Sequence, residues 1–100
     1  MAKGYWVIGM KINKPEQYAA YRAANGEAFR KYGAKFLARG GAFENPFGKA
    51  WPLNTIIEFP SYQAAKDCLA SPEYKRALDV RGDAVEIDLV IVEGYDGPQP

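Results

Sequence analysis

Two charged side chains, Arg39 and Glu58, sit in stretches that read as strands. An arginine drawn out of water could hold a carboxylate or phosphate through paired hydrogen bonds, and a desolvated glutamate could act as a general base. If their strands form a hairpin, both reach the sheet face that carries no helices. There they are a catalytic pair, a structural ion pair or two separate surface charges. A second group has helical spacing. Tyr18, Tyr21, Asn25, Phe29 and Tyr32 fall three or four residues apart and share one helix face. Tyrosines on that stripe either pack in the core or orient a ligand oxygen, and the amide of Asn25 needs hydrogen-bond partners. A third group, Phe43, Phe47 and Trp51, belongs to a long loop. These rings form a lid in which Trp51 touches a ligand, or they pack on a partner subunit.

Other chemistry is excluded by composition. The chain has 100 residues, no histidine and one cysteine. A Ser-His-Asp triad, a Cys-His dyad, a His-ligated zinc and a proximal-His haem all require a residue that is missing. Cys68, on the apolar side of a helix, reads as a buried, inert thiol. Glu86 and Asp88 lie two apart on one strand face without a third carboxylate in register, so no metal site is expected. Gly40-Gly41 lacks the helix start of a phosphate loop and reads as a tight turn. Lys and Arg number 13 against 12 Asp and Glu, a net charge of +1, which gives no general attraction to nucleic acid or to an anionic membrane. No export signal is evident, and the lone thiol points to the cytoplasm.

The elements that position these residues follow from periodicity. Residues 4–12 read as a strand with Trp6, Ile8, Met10 and Ile12 on one face and Tyr5, Val7, Gly9 and Lys11 on the other. Asn13 then offers a cap, and Pro15 and Glu16 open a helix that Gly33 ends. A strand over 34–40, a loop over 41–52 and a strand over 54–59 come next. Ser61 caps a second helix, which Ser71-Pro72-Glu73 interrupts and restarts. Val85 to Glu93 alternate as a last strand. Two strand-helix-strand halves make a ferredoxin-like split βαβ of the α+β class, with helices on one face of a four-stranded antiparallel sheet. Strands one and three are expected in its centre. Residues 1–95 form the single domain, and 96–100 a flexible tail.

Charge divides between the halves. Residues 1–50 carry nine basic and three acidic side chains, a net +6; residues 51–100 carry four and nine, a net −5. Interleaving in one fold would bring the two signs together. The open sheet face is expected to hold Tyr5, Val7, Lys11, Leu37, Arg39, Asn54, Ile56, Glu58, Glu86, Asp88, Val90 and Val92. Its apolar members make a patch that soluble monomers avoid, so a homodimer packed through the two sheet faces is expected.

Arg39-Gly40-Gly41 after Tyr32-Gly33-Ala34-Lys35-Phe36-Leu37, then Ile57-Glu58-Phe59-Pro60-Ser61, Ala64-Ala65, Ser71-Pro72-Glu73-Tyr74 and Val92-Glu93-Gly94, together span the chain. In this combination the chain resembles domain-of-unknown-function family 1330 of the dimeric α/β-barrel superfamily. The resemblance implies a ferredoxin-like protomer and a homodimer whose sheets form a barrel, and it implies no fixed chemistry. The superfamily's haem and His-Asp versions do not transfer to a chain without histidine. Three readings follow. The first is a protein that binds a small organic anion without a cofactor, with Arg39 as anchor, Glu58 as polar partner, and Tyr18, Tyr21, Asn25 and Trp51 around the ligand. The second is a cofactor-independent isomerase- or monooxygenase-like enzyme using Glu58 and Arg39. The third is a structural dimer.

Overall fold

The computed structural model describes residues 2–100; Met1, at the start of the expected domain, lies outside them. The element order is β1 (Gly4–Ile12), α1 (Pro15–Lys31), β2 (Lys35–Arg39), β3 (Leu53–Phe59), α2 (Tyr62–Ala70), α3 (Pro72–Arg81) and β4 (Val85–Glu93). The four strands form one antiparallel sheet in the order β2-β3-β1-β4. This is the ferredoxin-like α+β arrangement expected from two right-handed strand-helix-strand units, with β1 and β3 in the centre. No helix among the described residues is long and apolar enough to cross a membrane.

Strand alternation decides which face the helices cover. Trp6, Ile8 and Met10 on β1 and Ile57 and Phe59 on β3 are buried against Tyr21, Ala28 and Phe29 of α1, Ala65 and Cys68 of α2, and Tyr74 and Ala77 of α3. Trp6 is the hub. Its ring centroid lies 5.5 Å from that of Phe29 and 5.1 Å from those of Phe59 and Tyr74. Its indole N–H donates to the Ala65 carbonyl at 2.9 Å, which satisfies the one polar atom the ring takes into the core.

Helix ends follow local chemistry, with one exception. Ser61 Oγ accepts from the Ala64 N–H, and Ser71 Oγ accepts from the Tyr74 N–H while donating to the Cys68 carbonyl. Ser71 therefore ends α2 and caps α3. Gly33, at φ 71°, lets the chain leave α1 in a left-handed turn. The exception is Asn13. Lys14 occupies the cap position of α1 and makes no side-chain cap bond. The Asn13 side chain instead donates to Glu86 on β4, and the backbone N–H groups of Asn13 and Lys14 are satisfied by the Ala84 carbonyl.

The charge division closes in space. Lys3–Glu58, Lys14–Asp83, Lys31–Glu73 and Arg76–Glu27 are all ion pairs between the basic first half and the acidic second half, or the reverse.

Candidate functional site

Arg39 and Glu58 lie on opposite faces of the sheet, and a β-bulge is the reason. Along β2, Lys35 pairs with Glu58 and Phe36 with Ile57, but the next pairs are Ala38 with Ile56 and Arg39 with Thr55. Leu37 is the extra residue. It lets Leu37 and Ala38 together oppose Ile56 and reverses the alternation beyond them. Arg39 thereby shares the face of Thr55 and Ile57, which the helices cover. The expected hairpin-face pair of Arg39 and Glu58 is corrected accordingly. Glu58 stays on the open face, mostly buried, 3.8 Å from Lys3 Nζ, and accepts a long hydrogen bond of 3.4 Å from the Tyr5 hydroxyl. It is the centre of a small structural cluster.

The reversal brings Arg39 to residues of the helical stripe. A cavity of about 30 Å³ between α1 and the sheet is lined by Tyr18, Tyr21, Asn25, Arg39, Thr55 and Tyr74 among apolar side chains. An adjoining cleft of about 220 Å³ shares Met10, Tyr18, Arg39 and Thr55 with it and adds Arg22, Ile12, Gly40 and Leu53. Four sequence-derived candidates, Tyr18, Tyr21, Asn25 and Arg39, thus meet in one place. Arg22 and Thr55 were missed. Both left a signal: Arg22 stands one helical turn before Asn25, and Thr55 is polar at a position whose alternating neighbours, Leu53 and Ile57, are apolar.

The electrostatics of the site are positive and underpaired. Neither Arg22 nor Arg39 has a carboxylate within 4.0 Å among the described residues. The Arg39 guanidinium lies over the Phe36 ring, 4.0 Å from its centroid. Partial removal from water, and then the charge of Arg22, hold Arg39 below its ordinary pKa; a guanidinium remains charged nonetheless. Burial, then the neighbouring Tyr21, raise the pKa of Tyr18 and keep it a proton donor. Deeper in, the Tyr21 and Tyr74 hydroxyls are 2.6 Å apart, and the Arg81 guanidinium sits 5.1 Å from the Tyr21 ring centroid. Asn25 and Thr55 are 5% and 6% exposed. Their side chains enter none of the hydrogen bonds among the described residues, although both line the cavity. Their polar atoms are not among the fully buried unpartnered ones, so they stay open to the space they line.

Trp51 takes no part in this cleft. Its indole N–H donates to Asp88 on the open face at 2.8 Å. Its ring lies where a Cβ on Gly9 would be, so the missing side chain of a central-strand glycine makes its seat. The expected Trp51 ligand contact is corrected on that ground. Phe43 and Phe47, 50% and 91% exposed, line neither the cavity nor the cleft. Cys68 is fully buried and its thiol is pushed up to about 12, first by burial, so it is inert.

A family model described as "Domain of unknown function (DUF1330)" matches residues 3–95. No curated protein matches the chain. Among solved structures, the RPA0582 protein of unknown function from Rhodopseudomonas palustris is 22% identical with a TM-score of 0.76, over 96% of this chain and 85% of that one. A methylated form of RPA0582 gives 21% and 0.77, over 98% and 84%. SnoaB, a cofactor-independent oxygenase from Streptomyces nogalater, is 11% identical with a TM-score of 0.61, over 100% and 97%. At these identities the likeness is one of fold.

Proposed function

The chain belongs to the DUF1330 family, and we propose that it binds a small organic anion in the cleft between α1 and β2–β3, as a homodimer packed through its open sheet faces. The observation that carries the binding reading is the pair Arg22 and Arg39 without a carboxylate partner among the described residues, beside the Asn25 amide that lines the adjoining cavity. Two like charges at one mouth repel, and an anion held by both offsets that repulsion. The dimer rests on Val7, Leu37, Ile56, Val90 and Val92. They are 38–57% exposed on one face, where Val7 pairs with both Ile56 and Val90, and a second copy would cover them. The lone thiol suits a cytoplasmic setting.

Binding is better supported than turnover. The ionisable groups lining the cavity and cleft are Arg22, Arg39 and tyrosines, so a carboxylate base is lacking, and Glu58 is across the sheet. The fold shared with a cofactor-independent oxygenase keeps turnover worth an assay but assigns no residue to it. The test is thermal shift with millimolar benzoate and related acids on the wild type and on Arg39→Ala. The wild type should gain several degrees and Arg39→Ala none, while light scattering gives a dimer for both. Equal shifts in both proteins, or none in the wild type, would overturn the reading.

A further inference from the structure

The cavity and the cleft share four side chains, so they are two ends of one site with different chemistry. Resting on the anion-binding reading above, we infer that the ligand is a carboxylic acid of about one-ring size whose far end bears a hydroxyl or carbonyl oxygen. The carboxylate would lie between Arg22 and Arg39, and the second oxygen among Asn25, Thr55 and the Tyr21–Tyr74 pair.

Size sets the first limit. A cavity of about 150 Å³ accepts benzene. The cleft of about 220 Å³ therefore suits one ring with its substituents, and the wall of Met10, Ile12 and Leu53 gives that ring an apolar surface. The inner cavity of about 30 Å³ has room for a water or a single oxygen substituent and for nothing larger.

Hydrogen-bond arithmetic sets the second limit. The bond between the Tyr21 and Tyr74 hydroxyls uses one of their two protons. The other phenolic proton has no acceptor among the described residues. The Asn25 amide brings two more protons and the Thr55 hydroxyl one, and both side chains are more than nine-tenths buried. The inner end therefore brings donors together with the acceptor oxygens of Asn25 and Thr55, and a hydroxyl can pair with both kinds while a carbonyl oxygen pairs with the donors. A plain apolar acid would leave these groups unpaired; an acid with a distal oxygen would satisfy several at once. The spacing agrees. Arg22 and Asn25 are three residues apart on α1, about 4.5 Å along its axis, and Arg39 and Thr55 are cross-strand partners. One ring spans that interval.

The experiment compares benzoate, 4-hydroxybenzoate and 4-hydroxybenzamide by calorimetric titration on four proteins, the wild type, Thr55→Val, Asn25→Leu and Arg22→Gln. The wild type should bind 4-hydroxybenzoate at least tenfold more tightly than benzoate, and the neutral amide most weakly. Thr55→Val, nearly isosteric, should erase most of the preference for the hydroxyl while leaving benzoate affinity within twofold. Arg22→Gln should weaken both acids by a similar factor and leave the preference intact. If the acids bind but the preference is absent, or survives in both Thr55→Val and Asn25→Leu, the two-ended site is wrong and anion binding stands. If neither acid binds the wild type, both readings fall. Circular dichroism of each variant guards against misfolding, and a variant that loses its fold is replaced by Thr55→Ala or Asn25→Ala in the same comparison.

Discussion

The two faces of one sheet solve opposite problems. On the covered face, Trp6, Ile57, Phe59 and Tyr74 leave at most 1% of their surface to solvent. On the open face, Val7, Ile56, Val90 and Val92 of β1, β3 and β4 keep 38–57%. Folding of one chain satisfies the first set. The second set stays exposed in the folded chain, which is the pattern the proposed dimer accounts for. The covered face also holds the exception on which the proposed binding rests. Among its apolar side chains it buries Asn25 and Thr55, and it receives Arg39 only because β2 carries an extra residue. Packing on the covered face is thus interrupted where a ligand would be recognised, and polarity on the open face, as at Glu58 and Asp88, is paired internally.

Removing the hub of the covered face should have the largest effect. Trp6→Ala deletes a fully buried ring in contact with three other aromatic rings and orphans the Ala65 carbonyl. It should cost about 3–5 kcal/mol of unfolding free energy in urea titration. A loss under about 1 kcal/mol would mean that the aromatic cluster is not the core. The matching change on the open face is Val7→Asp. It should leave the monomer folded and raise the dimer dissociation constant at least a hundredfold, about 2.8 kcal/mol. Sedimentation at micromolar concentration reads this directly. An unchanged dimer would move the interface elsewhere.

A smaller effect tests how Trp51 is held. Gly9→Ala puts a methyl where the indole lies and should free the ring from Asp88, at about 1 kcal/mol for the lost hydrogen bond. In a proton–nitrogen spectrum the Trp51 indole resonance should move while that of Trp6, on the covered face, stays. If both move, or neither does, the glycine is not the seat of the ring.

The comparison also explains what could be read in advance. Strands β1 and β4 alternate cleanly over nine residues each, so their faces, the sheet order and the apolar open patch were legible. Ser61 and Ser71 were legible as caps because their side chains act locally. Strand β2 was not. Phe36, Leu37 and Ala38 are apolar on either parity, and nothing in them marks the bulge that turns Arg39 to the helices. The site was therefore half visible: Tyr18, Tyr21 and Asn25 by their helical spacing, and Arg39 as a residue but not by its face. Trp51 lies away from this cleft because its seat is a glycine forty-two residues earlier in the chain, although a glycine inside a central strand is itself a sign of close approach.

The smallest effect lies at the seam of the helical layer. Lys31 at the end of α1 holds Glu73 of α3 at 2.9 Å. The hydrogen bond from Lys31, and then the residue's own backbone, hold the Glu73 carboxyl below the usual carboxylate value. The hydrogen bond to Glu73, then its charge, raise Lys31 above the usual ammonium value. A carboxylate with a depressed folded pKa stabilises above its unfolded value, about 4.3, and loses that contribution as pH falls through the folded one. A lysine with a raised folded pKa stabilises below its unfolded value, about 10.4, and loses that contribution as pH rises through the folded one. Lys31→Met should therefore be less stable than the wild type by a constant amount between about pH 5 and pH 10. The difference should shrink toward pH 3 and again above pH 11. High salt should shrink it throughout, because Lys31 is half exposed. Urea midpoints of the two proteins across this range check the shape. A difference as large at pH 3 as at pH 7 would assign the effect to the lysine's packing, and the seam would then be held by the same apolar contacts as the rest of the covered face.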